Sequence, residues 1–301
     1  MTKIAITGGT GLIGSAIREY LQSKGYDCHV LTTSKRSASV NNEHFFWNPS
    51  EKYIASDALK GVDTIIHLAG STINQPWNSK GKRDIIQSRI QAADTLFAFL
   101  STRENNVKNI IAASAIGMYP DKGEDWVDEN DEAGKGFQGE VIAQWEKALI
   151  RFESLPVRLF IPRIGIVLSG DGGALPVMAK PVRWGLSSAI GSGKQYLSWI
   201  HIDDVVGIFH HALTHPKLSG IFNAVAPNPA TNSVFTRTLA KVLRKPHFLP
   251  RVPGFLLRIT MGERADLALR GSRVSSQKIT DTGYTFKYPE LDNALEKLLG
   301  K

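Results

Sequence analysis

Residues 6–21 read ITGGTGLIGSAIREYL, in which an apolar β-type run gives way to a helical pattern across a glycine-rich turn. Gly8, Gly11 and Gly14 occupy the end of the first strand and the start of the first helix. Glycines at these points allow a tight turn and a close backbone approach to a pyrophosphate. The helix start offers free N–H groups and a positive dipole end to the phosphates. The stretch therefore predicts a nucleotide-binding loop within a strand–loop–helix unit.

The first half of the chain alternates short β-rich runs, such as CHVLTTS, DTIIHLAG and NIIAASAIGMY, with longer helical patterns. This alternation is typical of βαβ units whose parallel sheet is covered on both faces. We predict an α/β protein with a Rossmann-type, doubly wound parallel sheet over residues 1–168, onto which residues 195–216 pack back. A smaller C-terminal α/β substrate domain is predicted over residues 169–194 and 217–301.

Composition is that of an ordinary soluble protein, since 42% of the 301 residues are hydrophobic and 21% are charged. No apolar run reaches the about 20 residues that a membrane span needs, and the opening MTKIAITGG argues against a signal peptide. Cys28 is the only cysteine, which excludes internal disulfides and a cysteine-based zinc site. We expect a cytoplasmic protein with no membrane partner, and no metal motif is visible.

Positive charge is concentrated near the C-terminus. The chain carries a net charge of +8, and the segment 237–278 holds ten Lys or Arg against only Glu263 and Asp266. Such a segment attracts an anionic substrate, a nucleic acid or a membrane surface, or it is simply a solvated basic face. The apolar residues within FLPRVPGFLLRITMG indicate a packed element rather than a flexible arm.

The second strand bears on the choice of cofactor. An NAD site usually has an acidic residue about 20 residues beyond the glycine loop, where it binds the ribose 2′-hydroxyl. The matching stretch here is LTTSKRS, which has no acid but contains Ser34, Lys35 and Arg36. A hydroxyl and two cations suit a 2′-phosphate, so we predict NADP(H) rather than NAD(H).

The spacing G-x-x-G-x-x-G in TGGTGLIG resembles the opening of the extended short-chain dehydrogenases/reductases. DTIIHLAGSTI resembles their strand-end loop on the adenine side of the cofactor. Further matching segments are QSR at 87–89, SAIGMYP at 114–120, WEKA at 145–148, PRIGIVLSGDGGAL at 162–175, GSGKQYLSWIHIDD at 191–204, GIFNAVAPNPATN at 220–232 and MGERADLALRGSRV at 261–274. Over almost the whole chain, the sequence is similar to an atypical branch of NADP-binding "epimerase family" proteins, which are nucleoside-diphosphate-sugar epimerase-like; some bacterial members carry a cell-division-inhibitor label.

The resemblance implies a Rossmann-type domain, bound NADP(H) and a small-molecule substrate, with anions among the candidates. It also implies a homodimer through the helices at 82–101 and 138–153. Together with the loop pattern, it implies a cofactor site at Gly8, Thr10, Gly11, Leu12, Ile13, Gly14, Ser34, Lys35, Arg36, Leu68, Ala69, Gly70, Ser114 and Arg163.

Ordinary members of this superfamily use a Ser/Thr, a Tyr and a Lys. The Tyr exchanges the proton of the substrate hydroxyl, and the Lys four residues later lowers the Tyr pKa from its ordinary value of about 10. A glutamate often follows four residues further on. Aligning that glutamate with Glu146 places Gln138 at the Tyr position and Ile142 at the Lys position.

The expected Ser/Thr is missing as well. It normally lies four residues before a Tyr-Gly pair, and counting back from Tyr119 gives Ala115; Ser114 is one residue off and would point to the other face of a strand. No shift of the alignment restores the Tyr-x-x-x-Lys pair, because the next tyrosine after Tyr119 is Tyr196. The usual dehydrogenase or epimerase chemistry is therefore in doubt, and the catalytic residues are not identified.

Three residues are candidates to replace the triad. Tyr119, at the carboxyl edge of the sheet, is a candidate general acid, with a structural aromatic as the alternative. Arg89 is a candidate for binding an anionic substrate, with a helix-packing role as the alternative. Gln138 is able to hydrogen-bond a substrate but not to transfer a proton at neutral pH.

Other polar residues have structural interpretations beside the functional ones. Glu146 would be a base if burial raised its pKa, but a structural hydrogen bond on a helix face is the favoured interpretation. Trp77 and Lys80, in NQPWNSKGK, resemble a family loop on the substrate side. In WIHIDD, His201 and the acidic pair at 203–204 are expected to cap the following helix.

Three functions stay open at this point. The first is an NADP(H)-dependent oxidoreductase or epimerase-like enzyme with a non-standard proton donor. The second is a non-catalytic regulatory protein that senses NADP(H), with a link to cell division as one version. The third is an anion- or nucleic-acid-binding module built on the basic segment. The match over this segment favours a folded substrate domain, so nucleic acid is not the partner that we expect.

Overall fold

The computed structural model describes residues 2–40 and 43–300 and is a mixed α/β structure built on a large, mainly parallel sheet. In chain order the strands are β1 (Lys3–Thr7), β2 (Asp27–Thr32), β3 (His44–Asn48), β4 (Tyr53–Ile54), β5 (Thr64–His67), β6 (Asn109–Ala112), β7 (Ser114–Ala115), β8 (Trp126–Val127), β9 (Arg158–Ile164), β10 (Ile166–Leu168), β11 (Tyr196–Leu197), β12 (Trp199–His201), β13 (Gly220–Ala224), β14 (Ala230–Thr231) and β15 (Arg273–Val274).

The α-helices fall largely between these strands in the first half and become the main element in the second. They are α1 (Leu12–Ser23), α2 (Lys35–Val40), α3 (Ser79–Thr102), α4 (Phe137–Ile150), α5 (Ala174–Arg183), α6 (Ile202–Thr214), α7 (Asn232–Val242), α8 (Gly254–Met261), α9 (Asp266–Leu269), α10 (Gln277–Thr280) and α11 (Leu291–Leu299).

The large sheet has the order β13-β9-β6-β5-β1-β2-β3-β4, with β7 paired to β9 off this path. The pairs from β3 through β2, β1, β5 and β6 to β9 are parallel, and β4 is added antiparallel to β3. The chain winds outward from β1 to β3 and then resumes on the other side of β1 with β5. The predicted Rossmann-type, doubly wound sheet is confirmed, and its winding reverses between β1 and β5.

Burial explains why the central strands read as continuous apolar runs. Ile4 and Ile6 of β1 and Ile65 and Ile66 of β5 are completely buried, because helices cover both faces of a parallel sheet. On α1, the buried positions are Gly14, Ile17 and the leucine one turn later, which is the one-sided spacing of an amphipathic helix.

The chain divides into two compact units. The first consists of Met1–Ser114, Val141–Pro162 and Val206–Ile221, and the second of Ala115–Glu140, Arg163–Val205 and Phe222–Lys301. The second unit has a core of its own, formed by apolar residues of β10, β12, α5, α7 and α11. Among its completely buried members are Leu168, Leu175, Trp199, Phe235 and Leu295.

The basic C-terminal segment is folded, but its apolar residues do not pack as the sequence pattern led us to expect. Helix α8 has no buried residue, and Phe248, Phe255, Leu256 and Ile259 are exposed. A local run of apolar residues does not specify whether another element covers it. Within the part of the chain that the structure describes, no helix combines the length and apolarity needed to cross a bilayer.

Candidate functional site

The glycine loop links β1 to α1 in the first unit. Gly8 has φ +71°, a left-handed conformation that favours glycine, and its carbonyl accepts a hydrogen bond of 3.0 Å from the N–H of Gly11. The first helical bond of α1 runs from Ser15 N to Gly11 O. The N–H groups of residues 12–14 therefore have no carbonyl one turn earlier, and Gly11, as the N-cap, has no side chain to offer them. This helix start has the properties of an anion-binding site.

Two glycines of the loop are required by space. A Cβ on Gly14 would lie 2.2 Å from the carbonyl oxygen of Gly8, and a Cβ on Gly8 would lie 2.9 Å from the carbonyl carbon of Leu68. A Cβ on Gly11 would meet only one atom, at 3.4 Å. The loop is thus fixed tightly against α1 and the end of β5 and leaves room above Gly11.

The loop lies where the winding of the sheet reverses. The Thr7 hydroxyl oxygen, at the end of β1, accepts hydrogen bonds from the N–H groups of Leu68 (3.1 Å) and Ala69 (3.2 Å), just beyond β5. The same hydroxyl lies 2.7 Å from Nδ1 of His67. In open α/β sheets, ligands bind outside the carboxyl ends of the strands at this switch point. The structure thus brings together the two loops that the sequence assigned to the cofactor.

The residues assigned to the 2′-phosphate follow β2 in the same unit. Ser34, Lys35 and Arg36 are all exposed. The Ser34 hydroxyl accepts a hydrogen bond of 3.2 Å from Ser37 N at the start of α2, and Lys35 Nζ lies 5.4 Å from the centre of the Phe46 ring. Two cations at an exposed helix start are accessible to an anion.

Arg89, on α3, makes contacts that support a packing role. Its Nη1 donates hydrogen bonds to the carbonyl oxygens of Ser71 (3.1 Å) and Ile85 (2.9 Å), and its guanidinium lies over the Trp145 ring. Burial lowers the pKa of Arg89 to about 10. A Cβ on Gly70 would lie 3.1 Å from the Arg89 side chain, so this arginine fixes the shape of the loop after β5.

Ser114 lies just after β6 and is buried. Its hydroxyl donates a hydrogen bond of 2.5 Å to Oε1 of Glu146, a buried carboxylate on α4. This bond matches the structural hydrogen bond that we favoured for Glu146. It also shows that the Ser114 hydroxyl is engaged with α4.

Tyr119 and Arg163 belong to the second unit and are both buried. The Tyr119 hydroxyl donates to Oδ1 of Asn223 (2.6 Å) and accepts from Nη1 of Arg163 (2.8 Å). Arg163 also donates to the Glu129 carbonyl, and Oε1 of Glu129 accepts from Asn223 N. Burial raises the pKa of Tyr119 to about 12, against the opposing effect of Arg163. This network favours a structural role for the tyrosine rather than proton transfer.

Asn223 and Glu129 were not singled out from the sequence. The only available signal was that Asn223 falls within GIFNAVAPNPATN, one of the segments that carry the family resemblance. Its amide connects the tyrosine to the carbonyl of Ser275, 3.0 Å away, and so ties distant parts of the second unit together.

The His–Asp cluster of the second unit is structural as well. His201 Nδ1 accepts a hydrogen bond of 3.0 Å from Asp203 N in the first turn of α6, and its ring stacks on Tyr288. Burial lowers the pKa of His201 to about 4. Asp204 accepts from the backbone N–H groups of Lys287 (2.6 Å) and Tyr288 (3.0 Å). These bonds anchor the C-terminal segment and support the capping role expected for this cluster.

The remaining candidates are placed as follows. Gln138 is half-buried at the second position of α4, and Ile142 is buried one turn later. Trp77 is half-buried and donates from Nε1 to the Ile73 carbonyl, while Lys80 is exposed in the first turn of α3. Among the described residues, no group of three His, Cys, Asp or Glu side chains is arranged to hold a metal ion.

Comparison with known proteins gives the family. Residues 4–137 match the model of the NAD dependent epimerase/dehydratase family, and residues 252–298 match a domain of unknown function, DUF1731. Epimerase family protein SSP1921 of Staphylococcus saprophyticus is 35% identical over 301 residues, covering 99% of this chain and 100% of that protein. The chain belongs to the epimerase family. Another member, YfhF of Bacillus subtilis, is 33% identical over 297 residues, an alignment that covers 98% of this chain and 97% of YfhF.

Solved structures agree with this assignment. The human epimerase family protein SDR39U1 (isoform 2), solved with NADPH, has a TM-score of 0.89 and 29% identity, with 99% of each chain covered. A nucleoside-diphosphate sugar epimerase from Corynebacterium glutamicum has a TM-score of 0.82 and 30% identity, covering 99% of this chain and 58% of that one. The family resemblance inferred from the sequence motifs is confirmed.

Proposed function

We propose that this epimerase family protein binds NADP(H) and acts as an oxidoreductase or epimerase-like enzyme whose proton donor is not the usual Tyr–Lys pair. The observation that carries the proposal is the glycine loop at the switch point, where Gly8 and Gly14 have no room for a Cβ and the first turn of α1 presents free N–H groups. The human relative solved with NADPH supports the same cofactor here.

Each part of the site has a role in this proposal. The N–H groups of residues 12–14 bind the pyrophosphate, with Thr10 and Gly11 beside them. Ser34, Lys35 and Arg36 bind the 2′-phosphate, which sets the preference for NADP(H) over NAD(H). Residues 68–70 form the wall of the site beyond β5. Once bound, the nicotinamide supplies or accepts a hydride.

The proton that accompanies hydride transfer needs another source. A missing general acid costs about 10² to 10⁴ in rate unless another group replaces it. Tyr119 does not suit the task, because its hydroxyl proton is directed at Asn223 and its pKa is raised. Gln138 is able only to orient a substrate oxygen. We therefore propose that Gln138 positions the substrate and that water supplies the proton to the alkoxide oxygen formed by hydride transfer, leaving hydroxide in the solvent.

Two further parts of the proposal concern the rest of the chain. We assign substrate binding to the C-terminal part, residues 169–194 and 217–301, with a small molecule as the substrate. We place Arg163 and Ser114 near the cofactor by family resemblance, although the hydrogen bonds described above engage both of them. A cytoplasmic location and a homodimer through α3 and α4 remain predictions.

The test is a fluorescence titration of dialysed protein with NADPH and, separately, with NADH. It is repeated on Lys35→Ala/Arg36→Ala and on the matched control Lys52→Ala/Lys60→Ala, which removes two lysines of the same unit from outside the site. We expect NADPH binding to weaken about tenfold or more in the first variant only, with NADH binding unchanged. Failure of the folded wild-type protein to bind either nucleotide would overturn the proposal.

A second step separates enzyme from sensor. Protein that binds NADPH is screened against carbonyl substrates by following the loss of NADPH absorbance. Oxidation that depends on one substrate supports the enzyme. Tight NADPH binding without turnover on any substrate class would instead favour a regulatory protein that senses NADP(H).

A further inference from the structure

Exposed apolar side chains are concentrated in two segments of the second unit, residues 174–194 and 232–261. Eight of the twelve large hydrophobic side chains that are strongly exposed in the described structure fall within them. The most prominent are Phe248 and Ile259, each 76% exposed, and Trp184, 71% exposed. Monomeric soluble proteins rarely expose grouped apolar side chains of this size without a binding function.

The two segments lie side by side. His247 Nδ1 is 2.8 Å from the Ser187 hydroxyl, and the N–H of Val252 donates a hydrogen bond of 2.8 Å to the carbonyl of Ala189. These contacts hold the segment that contains Leu186 next to the segment that contains Phe248. We refer to Trp184, Leu186, Phe248, Phe255 and Ile259 as the apolar surface.

Helix α8 contributes two members of the apolar surface. Two contacts hold it in place: Gly254 lies against Leu269, and Arg258 forms an ion pair of 3.0 Å with Asp266. Phe255 and Ile259 are four residues apart and so share one face of the helix. The helix therefore presents this apolar face to the exterior although it is itself firmly anchored.

Charge within the two segments has a single sign. The two segments contain nine Lys or Arg, three in the first and six in the second, and no Asp or Glu. Among the charged residues that the structure describes, seven of these cations are exposed and form no ion pair: Lys180, Arg183, Lys194, Arg237, Arg244, Lys245 and Arg251. Exposed aromatic and aliphatic side chains are thus surrounded by free positive charge.

We propose that the apolar surface binds to the headgroup region of an anionic lipid bilayer. Phe, Trp and Ile side chains enter the interface, and the surrounding cations contact the lipid phosphates. A second copy of the chain is disfavoured, because two such faces would bring like charges together. Duplex nucleic acid would satisfy the cations but would leave the aliphatic side chains against phosphates. The attachment is peripheral, so it needs no membrane-spanning run, and it revises the expectation of no membrane partner.

The test is sedimentation of the full chain with vesicles of equimolar phosphatidylglycerol and phosphatidylcholine, and with vesicles of phosphatidylcholine alone. We expect binding to the anionic vesicles, weak binding to the neutral ones, and loss of binding as salt screens the phosphates. Phe255→Ser/Ile259→Ser should weaken binding about tenfold or more, because each buried side chain of this size contributes strongly to partitioning. Both side chains are largely exposed, so the variant is expected to fold.

A matched control distinguishes binding through the apolar surface from nonspecific adsorption to vesicles. Ile150→Ser removes an exposed isoleucine of the first unit and should leave vesicle binding unchanged. A charge variant, Arg244→Glu/Arg251→Glu, should abolish the preference for anionic vesicles. Absence of vesicle binding at low salt would overturn the proposal. Equal binding by wild type and the Phe255/Ile259 variant would also overturn it, and so would binding of duplex nucleic acid in preference to vesicles.

Discussion

Oγ1 of Thr7 lies 2.7 Å from Nδ1 of His67, and both residues are completely buried at the carboxyl ends of adjacent parallel strands. The Thr7 oxygen already accepts two backbone N–H groups beyond β5, so its own proton is directed at Nδ1. From this network we assign the neutral imidazole with its proton on Nε2. Through its bonds to the His67 ring and to the N–H groups of Leu68 and Ala69, the Thr7 hydroxyl joins β1 to the loop after β5, where the cofactor is proposed to bind.

Replacing Thr7 tests this link. Thr7→Val keeps the volume but leaves the N–H groups of Leu68 and Ala69 without their side-chain acceptor. We expect the free energy of unfolding to fall by about 1–3 kcal/mol and NADPH binding to weaken, as measured by urea denaturation and fluorescence titration. Thr7→Ser retains the hydroxyl and should lose much less; equal losses in the two variants would show that packing, not hydrogen bonding, dominates.

The glycine loop offers a comparison between two positions three residues apart. In Gly14→Ala the new methyl carbon would lie 2.2 Å from the Gly8 carbonyl oxygen, so the loop or α1 has to move. We expect a loss of about 1–3 kcal/mol in the free energy of unfolding, measured by urea denaturation, together with weaker NADPH binding. Gly11→Ala meets only one atom at 3.4 Å and should be far milder. A reversed order of the two variants would contradict the loop geometry described above.

The Tyr119 network gives a prediction that separates structure from catalysis. Tyr119→Phe removes the acceptor of Arg163 and the donor to Asn223 while keeping the ring. We expect about 1–3 kcal/mol of lost stability in urea denaturation, with turnover of any identified substrate slowed less than about tenfold. A much larger loss of turnover, with a changed pH profile and unchanged stability, would instead assign the proton transfer to this hydroxyl.

Acid should destabilise the protein through its buried histidines. Burial lowers the pKa of His67 from 6.5 to about 4, and that of His201 likewise to about 4. Between pH 6.5 and about 4, these histidines bind protons in the unfolded chain but not in the folded one. The free energy of unfolding therefore falls as the pH drops from 6.5 to about 4, and it is unaffected by these groups well above 6.5.

The size of the effect follows from the shift. For His67, which is fully buried, the loss reaches about 3 kcal/mol at pH 4. Urea denaturation of wild type and of His67→Gln at several pH values measures it. The variant starts from a lower stability at neutral pH, but its decline between pH 6.5 and about 4 should be less steep. Parallel curves would show that folding does not lower the pKa of His67.

Local sequence patterns were sufficient for the architecture. The glycine spacing and the alternation of β-rich and helical runs both depend on interactions between residues close in sequence. Both led to the doubly wound sheet that the structure shows. The ends of helices were predicted less accurately: α3 begins at Ser79, one turn before the predicted start at residue 82. The cause is Asn78, whose side chain accepts from Gly81 N and caps the helix there.

Contacts between distant residues could not be predicted in the same way. Tyr119 forms a hydrogen bond with Asn223, 104 residues away, and no local sequence pattern identifies such a partner. The apolar residues around Phe255 looked like core, because hydrophobic spacing identifies an apolar helix face but not what covers it. Both gaps arise because tertiary neighbours, not local propensity, decide the environment of a side chain.

The division of the chain has a consequence for its synthesis. The polypeptide passes between its two compact units five times, and the last piece of the first unit ends at Ile221. The first unit is therefore incomplete until about three-quarters of the protein has left the ribosome, so the two units mature together rather than one after the other. No single cut between residues yields either unit whole. Protein engineers who want the first unit alone would have to splice its three stretches with new connections.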